Sequence, residues 1–133
     1  MKDEQDMQEK LMKMQMLEQQ MTSIQKQLQQ LEGQLMDLDA TKESLDGLKN
    51  SEKGSEMLSM VSPGIFVKTG LTDNKEVVIN VGAGVAVKKN IEDAKKLVDE
   101  QIEEVKNVHI QLMEDMQKLN SIMLRIDREE QDV

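Results

Sequence analysis

Apolar residues recur at alternating spacings of three and four along the first third of the chain, a pattern typical of a coiled-coil helix. From residue 7 to residue 45 they fill positions a and d of a seven-residue repeat: Met7, Met14, Met21, Leu28 and Leu35 at a, and Leu17, Ile24, Leu31, Leu38 and Leu45 at d. Only Lys10 and Lys42 interrupt the series. The repeat predicts a helix over about residues 4–49, which ends where Gly, Asn and Ser cluster between Asp46 and Gly54.

A second repeat of the same kind begins after Asn90, which is a favourable N-cap residue. The repeat places Ile91, Val98, Val105, Leu112, Leu119 and Ile126 at d, and Lys95, Ile102, His109, Met116, Met123 and Glu130 at a. It predicts a second helix over residues 91–130. His109 is the only histidine of the chain, and we interpret it as a polar seam residue that helps to fix the register.

The two predicted helices are of similar length and flank one short insert, so they can pair in an antiparallel coiled coil. Two registers satisfy the repeats. In one, the numbers of facing residues add up to 140, which places Leu28 opposite Leu112 and Lys10 opposite Glu130. In the other they add up to 133. The first is preferred because it brings the opposite charges of Lys10 and Glu130 together.

The insert between the helices, residues 56–89, has a different composition, rich in β-branched residues and turn formers. Strands are predicted over about 56–61, 65–70, 76–81 and 85–88. Ser62-Pro63-Gly64 and Gly82-Ala83-Gly84 provide turns within two hairpins, and Thr72–Lys75 connects the hairpins. Isolated hairpins are marginal in water, so we expect this segment to be an assembly module.

Gly82-Ala83-Gly84 could also begin a dinucleotide-binding loop. That motif needs a third small residue where Val87 stands, and a βαβ unit around it. Both are missing from the pattern, so the segment is interpreted as a hairpin turn.

Several apolar residues lie away from the seam, and they gather near the two chain ends. They are Leu11, Met12 and Met16 in the first helix, and Ile122 and Leu124 in the second, with Ile110 and Met113 further from the end. Six of the twelve methionines fall within the first 21 residues. Such residues either pack in a larger helical bundle or form an exposed, adaptable apolar tip, because methionine is frequent on surfaces that bind many apolar partners.

Composition and charge argue against several classes of function. Aromatic residues make up 1% and charged residues 32% of the chain, so little bulk is available for a globular interior, and the regular apolar spacing argues against disorder. A net charge of −9 disfavours nucleic-acid binding.

No cysteine, no clustered metal ligands and no nucleophile–base pair are apparent, so neither an enzyme nor a metal or other cofactor is expected. No apolar run is long enough for a membrane helix and the beginning of the chain does not resemble a secretory signal, so a cytoplasmic protein is expected.

The order helix, two hairpins, helix resembles the prefoldin family, specifically the α-type subunit of archaeal prefoldin. The resemblance is carried by Ser62-Pro63-Gly64-Ile65-Phe66-Val67 and by the stretch from Val77 to Asn90. Ser62 departs from the family's usual valine before this proline. The resemblance implies an α+β, mostly α fold as a single domain over residues 1–133: a long antiparallel two-helix coiled coil with two inserted β-hairpins that contribute to an oligomeric β-barrel platform.

The resemblance also implies a function. A hetero-hexamer of two α-type and four β-type subunits would hold non-native polypeptide clients without ATP and deliver them to a group II chaperonin. Its partners would therefore be β-type subunits, a second copy of this chain, clients and the chaperonin, with neither nucleic acid nor membrane. The alternative is a structural coiled-coil protein that assembles into filaments or a scaffold through its hairpins.

Two sets of residues are predicted to carry this function. The client-binding set is Met7, Leu11, Met12, Met14, Met16, Leu17, Ile122, Met123, Leu124 and Ile126. The oligomerisation set is Ile65, Phe66, Val67, Val77, Ile79, Val81, Val85 and Val87.

Overall fold

The structure, a computed structural model, describes the backbone of residues 2–131 and the side chains of residues 3–128. Two long helices flank four strands, in the order α1 (Lys2–Asn50), β1 (Glu56–Ser62), β2 (Ile65–Gly70), β3 (Glu76–Gly82), β4 (Val85–Asn90) and α2 (Ile91–Gln131). The strands form two separate antiparallel hairpins, β1–β2 and β3–β4. The predicted fold, two long helices with two hairpins between them, is confirmed.

The chain divides into two compact units, each of which contains a segment of both helices. The terminal unit consists of residues up to 35 together with those from 104 onward, and the hairpin unit is residues 36–103. Six apolar side chains are buried among those described: Leu28 in the terminal unit, and Leu45, Ile91, Ala94, Val98 and Ile102 in the hairpin unit. All except Ala94 occupy the predicted a and d positions, so the seam supplies the core.

Ion pairs across the seam decide between the two registers. Lys42 Nζ lies 2.7 Å from Asp99 Oδ1, and Lys95 Nζ lies 2.5 Å from Asp46 Oδ1. Lys49 pairs with Glu92 in the same way. The two residue numbers of each pair add up to 141, which is one more than in the register of 140 and eight more than in the register of 133. The Lys10–Glu130 contact predicted for this register involves Glu130, whose side chain lies outside the described residues.

These pairs place lysines at the a positions of the seam and carboxylates at the flanking e positions of the opposite helix. A lysine stem can cover the apolar seam while its ammonium group reaches the seam edge, where a carboxylate meets it. The hydrogen bond from Lys95 lowers the pKa of Asp46 below its usual value and raises the pKa of Lys95. The hydrogen bond from Lys49 lowers the pKa of Glu92.

The two hairpins share one backbone design, offset by 20 residues. In the first, Met60 pairs with Phe66 and Ser62 with Ile65, and in the second Asn80 pairs with Ala86 and Gly82 with Val85. Each therefore carries a bulge one residue before the end of its first strand and a two-residue turn. The strands extend one or two residues beyond the predicted ends, to Ser62, Gly82 and Asn90.

The turns differ in conformation because their residues differ. In the Pro63-Gly64 turn, proline cannot adopt a positive φ, so only Gly64 has one, at 86°. A type II turn requires this combination. Ala83 and Gly84 both have positive φ, 51° and 75°, which fits the type I′ turn that matches the twist of a hairpin.

Backbone hydrogen bonds tie the hairpins to the helix ends. The Leu71 carbonyl accepts from the Gly54 N–H at 2.7 Å, and the Lys75 carbonyl accepts from the Ile91 N–H at 2.8 Å. The Asn74 side-chain amide donates to the Ser51 carbonyl at 3.1 Å. At the start of α2, the Asp93 N–H donates to Asn90 Oδ1 at 2.7 Å, so the predicted N-cap is confirmed.

The ion pairs predict an acid-dependent loss of stability. Because the pKa of Asp46 is lowered in the folded protein, its pair contributes fully above the usual carboxyl value of 3.8 and is lost as the pH falls below that value. We expect Asp46→Asn to lower the thermal unfolding midpoint at neutral pH, by an amount that shrinks in concentrated salt because the pair is partly open to solvent. The difference should vanish well below pH 3.8.

Asp37→Asn is the matched control, since it removes the same charge from an exposed position of α1. Both variants should be measured at one protein concentration, because assembly makes the midpoint concentration-dependent. Equal midpoints for the two variants at neutral pH would contradict the contribution of the Asp46–Lys95 pair.

Candidate functional site

Exposed apolar side chains near the two chain ends form the first candidate surface. We define the terminal surface as the six that are exposed in the terminal unit near the ends of the helices: Met7, Leu11, Met12 and Met16 on α1, and Ile122 and Leu124 on α2. Met12 is 64% and Met16 59% exposed. Because methionine is flexible and its thioether is polarizable, this surface can adapt to apolar partners of different shapes.

The other four residues of the predicted client-binding set occupy the seam. Met14, Leu17, Met123 and Ile126 are half-buried. In the register fixed by the ion pairs, Met14 faces Ile126 and Leu17 faces Met123. They support the terminal surface from beneath, and a partner could take their full area only if the helices separated locally.

On the outer side of α2, Leu124 of the predicted client-binding set is joined by two exposed apolar residues that the set omits, Ile110 and Met113. Ile110, Met113 and Leu124 project from one side of the helix, since their spacings of three and eleven residues return to nearly the same direction. All three are exposed, as is Val108. The sequence already indicated their exposure, because each is an apolar residue outside positions a and d of the repeat, where polar residues are usual.

The first hairpin carries apolar side chains on both faces. Met60 pairs with Phe66, and Leu58 lies on the same face, since residues directly opposite each other and residues two apart in a strand share a face. Phe66 is 51% exposed, and Leu58 and Met60 are more exposed still. Ile65 and Val67 lie on the opposite face. Leu58 and Met60 are absent from the predicted oligomerisation set, although the alternation of β1 indicated them.

The second hairpin concentrates its apolar residues on one face. Ile79 pairs with Val87, and Val77 and Val85 share their face. Val85 and Val87 are exposed, whereas Val77 and Ile79 are half-buried. Val78 is exposed on the other face, and Val81 is exposed at the bulge. Each residue of the predicted oligomerisation set thus lies on a hairpin face or at its bulge.

The backbone edges of the hairpins are also available for pairing. Each hairpin is a two-stranded sheet in the described part of the chain, so every strand has one edge without a strand beside it. Unpaired N–H and C=O groups at such edges favour the addition of another strand. The hairpins therefore offer both apolar faces and hydrogen-bonding edges to a partner.

Charge is distributed unevenly between the hairpins and the helices. Residues 51–90 contain five lysines and four acidic residues, a net charge of +1, so the rest of the chain carries −10 of the total of −9. Like charge on the helices opposes their close approach in an assembly, whereas the nearly neutral hairpins can pack together.

Among the described residues, no three of His, Asp and Glu come together in an arrangement that could hold a metal ion. His109 Nε2 lies 3.6 Å from Glu32 Oε1 across the seam, which fits its interpretation as a polar seam residue. No helix in the described range has an apolar stretch long enough to cross a bilayer.

Comparison with known proteins places similar sequences in one family. Residues 17–133 match the sequence profile of the prefoldin subunit family. Three similar proteins are each called prefoldin subunit alpha. The one from Pyrobaculum calidifontis is 35% identical over 74 residues, 56% of this chain and 54% of the relative. The one from Methanobrevibacter smithii is 29% identical over 47% of this chain and 43% of the relative. The one from Methanopyrus kandleri is 37% identical over 41% of this chain and 34% of the relative. The chain thus matches about half or less of each relative's length.

A solved structure shares the fold. The filamentous PFD from Methanocaldococcus jannaschii, determined by cryo-electron microscopy, superposes with a TM-score of 0.78 at 18% identity. The match covers 87% of this chain and 96% of that one. With a family match over most of its length and two hairpins between its helices, the chain belongs to the prefoldin family, and it resembles the α-type subunits of archaea.

Proposed function

We propose that this chain is a subunit of a cytoplasmic, ATP-independent chaperone that holds non-native polypeptides and delivers them to a group II chaperonin. The observation that carries the proposal is the terminal surface, where six apolar side chains remain exposed on helices whose seam is otherwise closed. Membership of the prefoldin family supports the same role. The proposed activity is binding, and it requires no cofactor.

Weak contacts suit this task because a chaperone must release what it holds. Covering an apolar side chain contributes about 1.5–3 kcal/mol when burial is complete, and less on an open surface. One terminal surface therefore binds a client weakly. Several such surfaces in one assembly raise the overall affinity through their high effective concentration, while each contact can still open and close.

Assembly is proposed to occur through the hairpins, with β-type subunits and a second copy of this chain. Closing several two-stranded sheets into a barrel removes their open edges and buries one face of each. The nearly neutral charge of residues 51–90 supports this arrangement, and the repulsion between acidic helices would hold the terminal surfaces of different subunits apart.

A second candidate function is a homopolymer that serves as a scaffold. The specific observation in its favour is the fold shared with the filamentous PFD of Methanocaldococcus jannaschii. The same open hairpin edges that could close into a barrel with other subunits could also join copies of one chain without closure.

Native mass spectrometry distinguishes the two candidates. With a β-type subunit, we expect one species that contains two copies of this chain and four of the partner. Open-ended polymers of this chain, unchanged by an excess of the β-type subunit, would instead establish the scaffold.

The assembly surface is tested by Phe66→Ser, which removes an exposed apolar side chain from the first hairpin. We expect the assembly to dissociate at concentrations where the unaltered protein is intact, with the helical circular dichroism signal retained. Lys68→Ser, on the same hairpin face, is the control and should leave the mass unchanged. Equal stability of the two assemblies would remove Phe66 from the interface.

The client surface is tested by the triple variant Leu11→Ser, Met12→Ser and Met16→Ser. We expect an unchanged assembly mass but a loss of at least about tenfold in suppression of client aggregation, since each 1.4 kcal/mol of lost binding costs a factor of about ten. The measurement is light scattering of a denatured client diluted into the chaperone.

Met36→Ser is the control for this variant, because Met36 is 73% exposed but lies outside the terminal unit. It should retain full suppression. Full suppression by the triple variant would contradict the assignment of the client surface.

A further inference from the structure

Methionine is the main oxidisable side chain of this protein. The chain contains twelve Met but no Cys, Trp or Tyr, so the residues that usually react with oxidants alongside methionine are absent. Half of the methionines fall within the first 21 residues. An oxidant that reaches this protein therefore acts chiefly on thioethers, and many of them are close to the proposed client surface.

The structure separates the methionines into two groups by exposure. Met7, Met12 and Met16 of the terminal surface are exposed, as are Met36, Met60 and Met113. The seam methionines Met14, Met21, Met116 and Met123 are half-buried, as is Met57 on the first hairpin. Since oxidation depends on access of the oxidant to sulfur, the exposed group should react first.

Met12 and Met16 are also placed where modification leaves the fold intact. They stand one helical turn apart on α1, at positions f and c of the repeat, away from α2. Neither contributes to the buried seam, so a polar group added to either side chain remains in water. Met7 occupies an a position but is 67% exposed.

We propose that Met7, Met12 and Met16 form an oxidation-sensitive site through which a hydroperoxide switches off client binding while the coiled coil stays folded. The inference rests on the proposed function. In the reaction, the thioether sulfur attacks one peroxide oxygen and the O–O bond breaks. The sulfur gains an S–O bond and is oxidised by two electrons, and hydrogen peroxide is reduced to water.

The product explains the switch. Methionine sulfoxide is polar and accepts hydrogen bonds, so its burial against an apolar client requires the loss of its hydration. Sulfoxides are reduced by dedicated enzymes, one for each epimer, and an exposed helix surface is accessible to them. The modification is therefore reversible, and binding capacity returns once these enzymes have reduced the sulfoxides.

The first test follows the order of oxidation. The assembled protein is treated with hydrogen peroxide, and peptide mass spectrometry locates each added oxygen atom over time. We expect Met7, Met12 and Met16 to gain oxygen before Met14, Met21, Met116 and Met123, without loss of the helical circular dichroism signal. Equal rates for the two groups, or unfolding that accompanies the first additions, would overturn the proposal.

The second test links oxidation to binding. Leucine has a similar volume and cannot form a sulfoxide, so Met7→Leu, Met12→Leu and Met16→Leu together give an apolar surface that peroxide cannot convert. The suppression by each protein is compared with its own value before treatment. After peroxide treatment, the unaltered protein should suppress client aggregation about tenfold less well, whereas the triple variant should retain its suppression. The control is Met36→Leu, which removes an exposed methionine outside both candidate surfaces and should give no protection.

The outcomes separate the inference from the proposed function. If the untreated protein fails to suppress aggregation, the proposed function is contradicted. If the untreated protein is active and the triple variant loses as much activity on oxidation as the unaltered protein, the proposed function stands and the oxidation site is overturned. Recovery of suppression after treatment with sulfoxide-reducing enzymes supports the switch.

Discussion

The pairing of α1 with α2 along an apolar seam is the interaction on which both units depend. Short isolated helices are marginal in water, and most helical stability comes from packing of an apolar face. The hairpin unit buries Leu45, Ile91, Val98 and Ile102 along this seam, whereas Leu28 is the buried residue of the terminal unit among the described side chains. The seam is thus most tightly closed in the unit that holds the hairpins, and the terminal unit leaves more of its apolar surface in water.

Polar residues within the seam determine how the helices align. Lys42, Lys49 and Lys95 each reach a carboxylate of the opposite helix. His109 approaches Glu32 in the same register, since these two residue numbers also add up to 141. Exposed ion pairs add little stability. Their contribution here is specificity, because a shift by one heptad would leave Lys49 with no residue of α2 opposite it and would bring His109 beside Gln25 instead of Glu32. An aligned seam in turn places the exposed residues of both helices in one terminal surface.

Much of the fold could be predicted from the sequence because each signal was local. Seven-residue repeats predicted both helices, Asn90 predicted the start of α2, and Pro63-Gly64 and Ala83-Gly84 predicted the hairpin turns. The register could not be predicted from the repeats alone, since a and d positions face each other in both alignments. It required the reach of the lysine side chains, which only the folded pair reveals. The placement of Leu58 and Met60 on one face with Phe66 depended on strand pairing and on the bulge, which are properties of the hairpin rather than of either strand.

A cross-linking measurement tests the aligned seam most directly, and the absence of cysteine from the chain makes it specific. Glu32→Cys with His109→Cys places two thiols at a contact observed across the seam, while Gln25→Cys with His109→Cys places them where the register shifted by one heptad would bring them together. Under mild oxidation, we predict that the first pair forms an intramolecular disulfide readily and the second does not. Preferential cross-linking of the second pair would contradict the register, and with it the arrangement of the terminal surface.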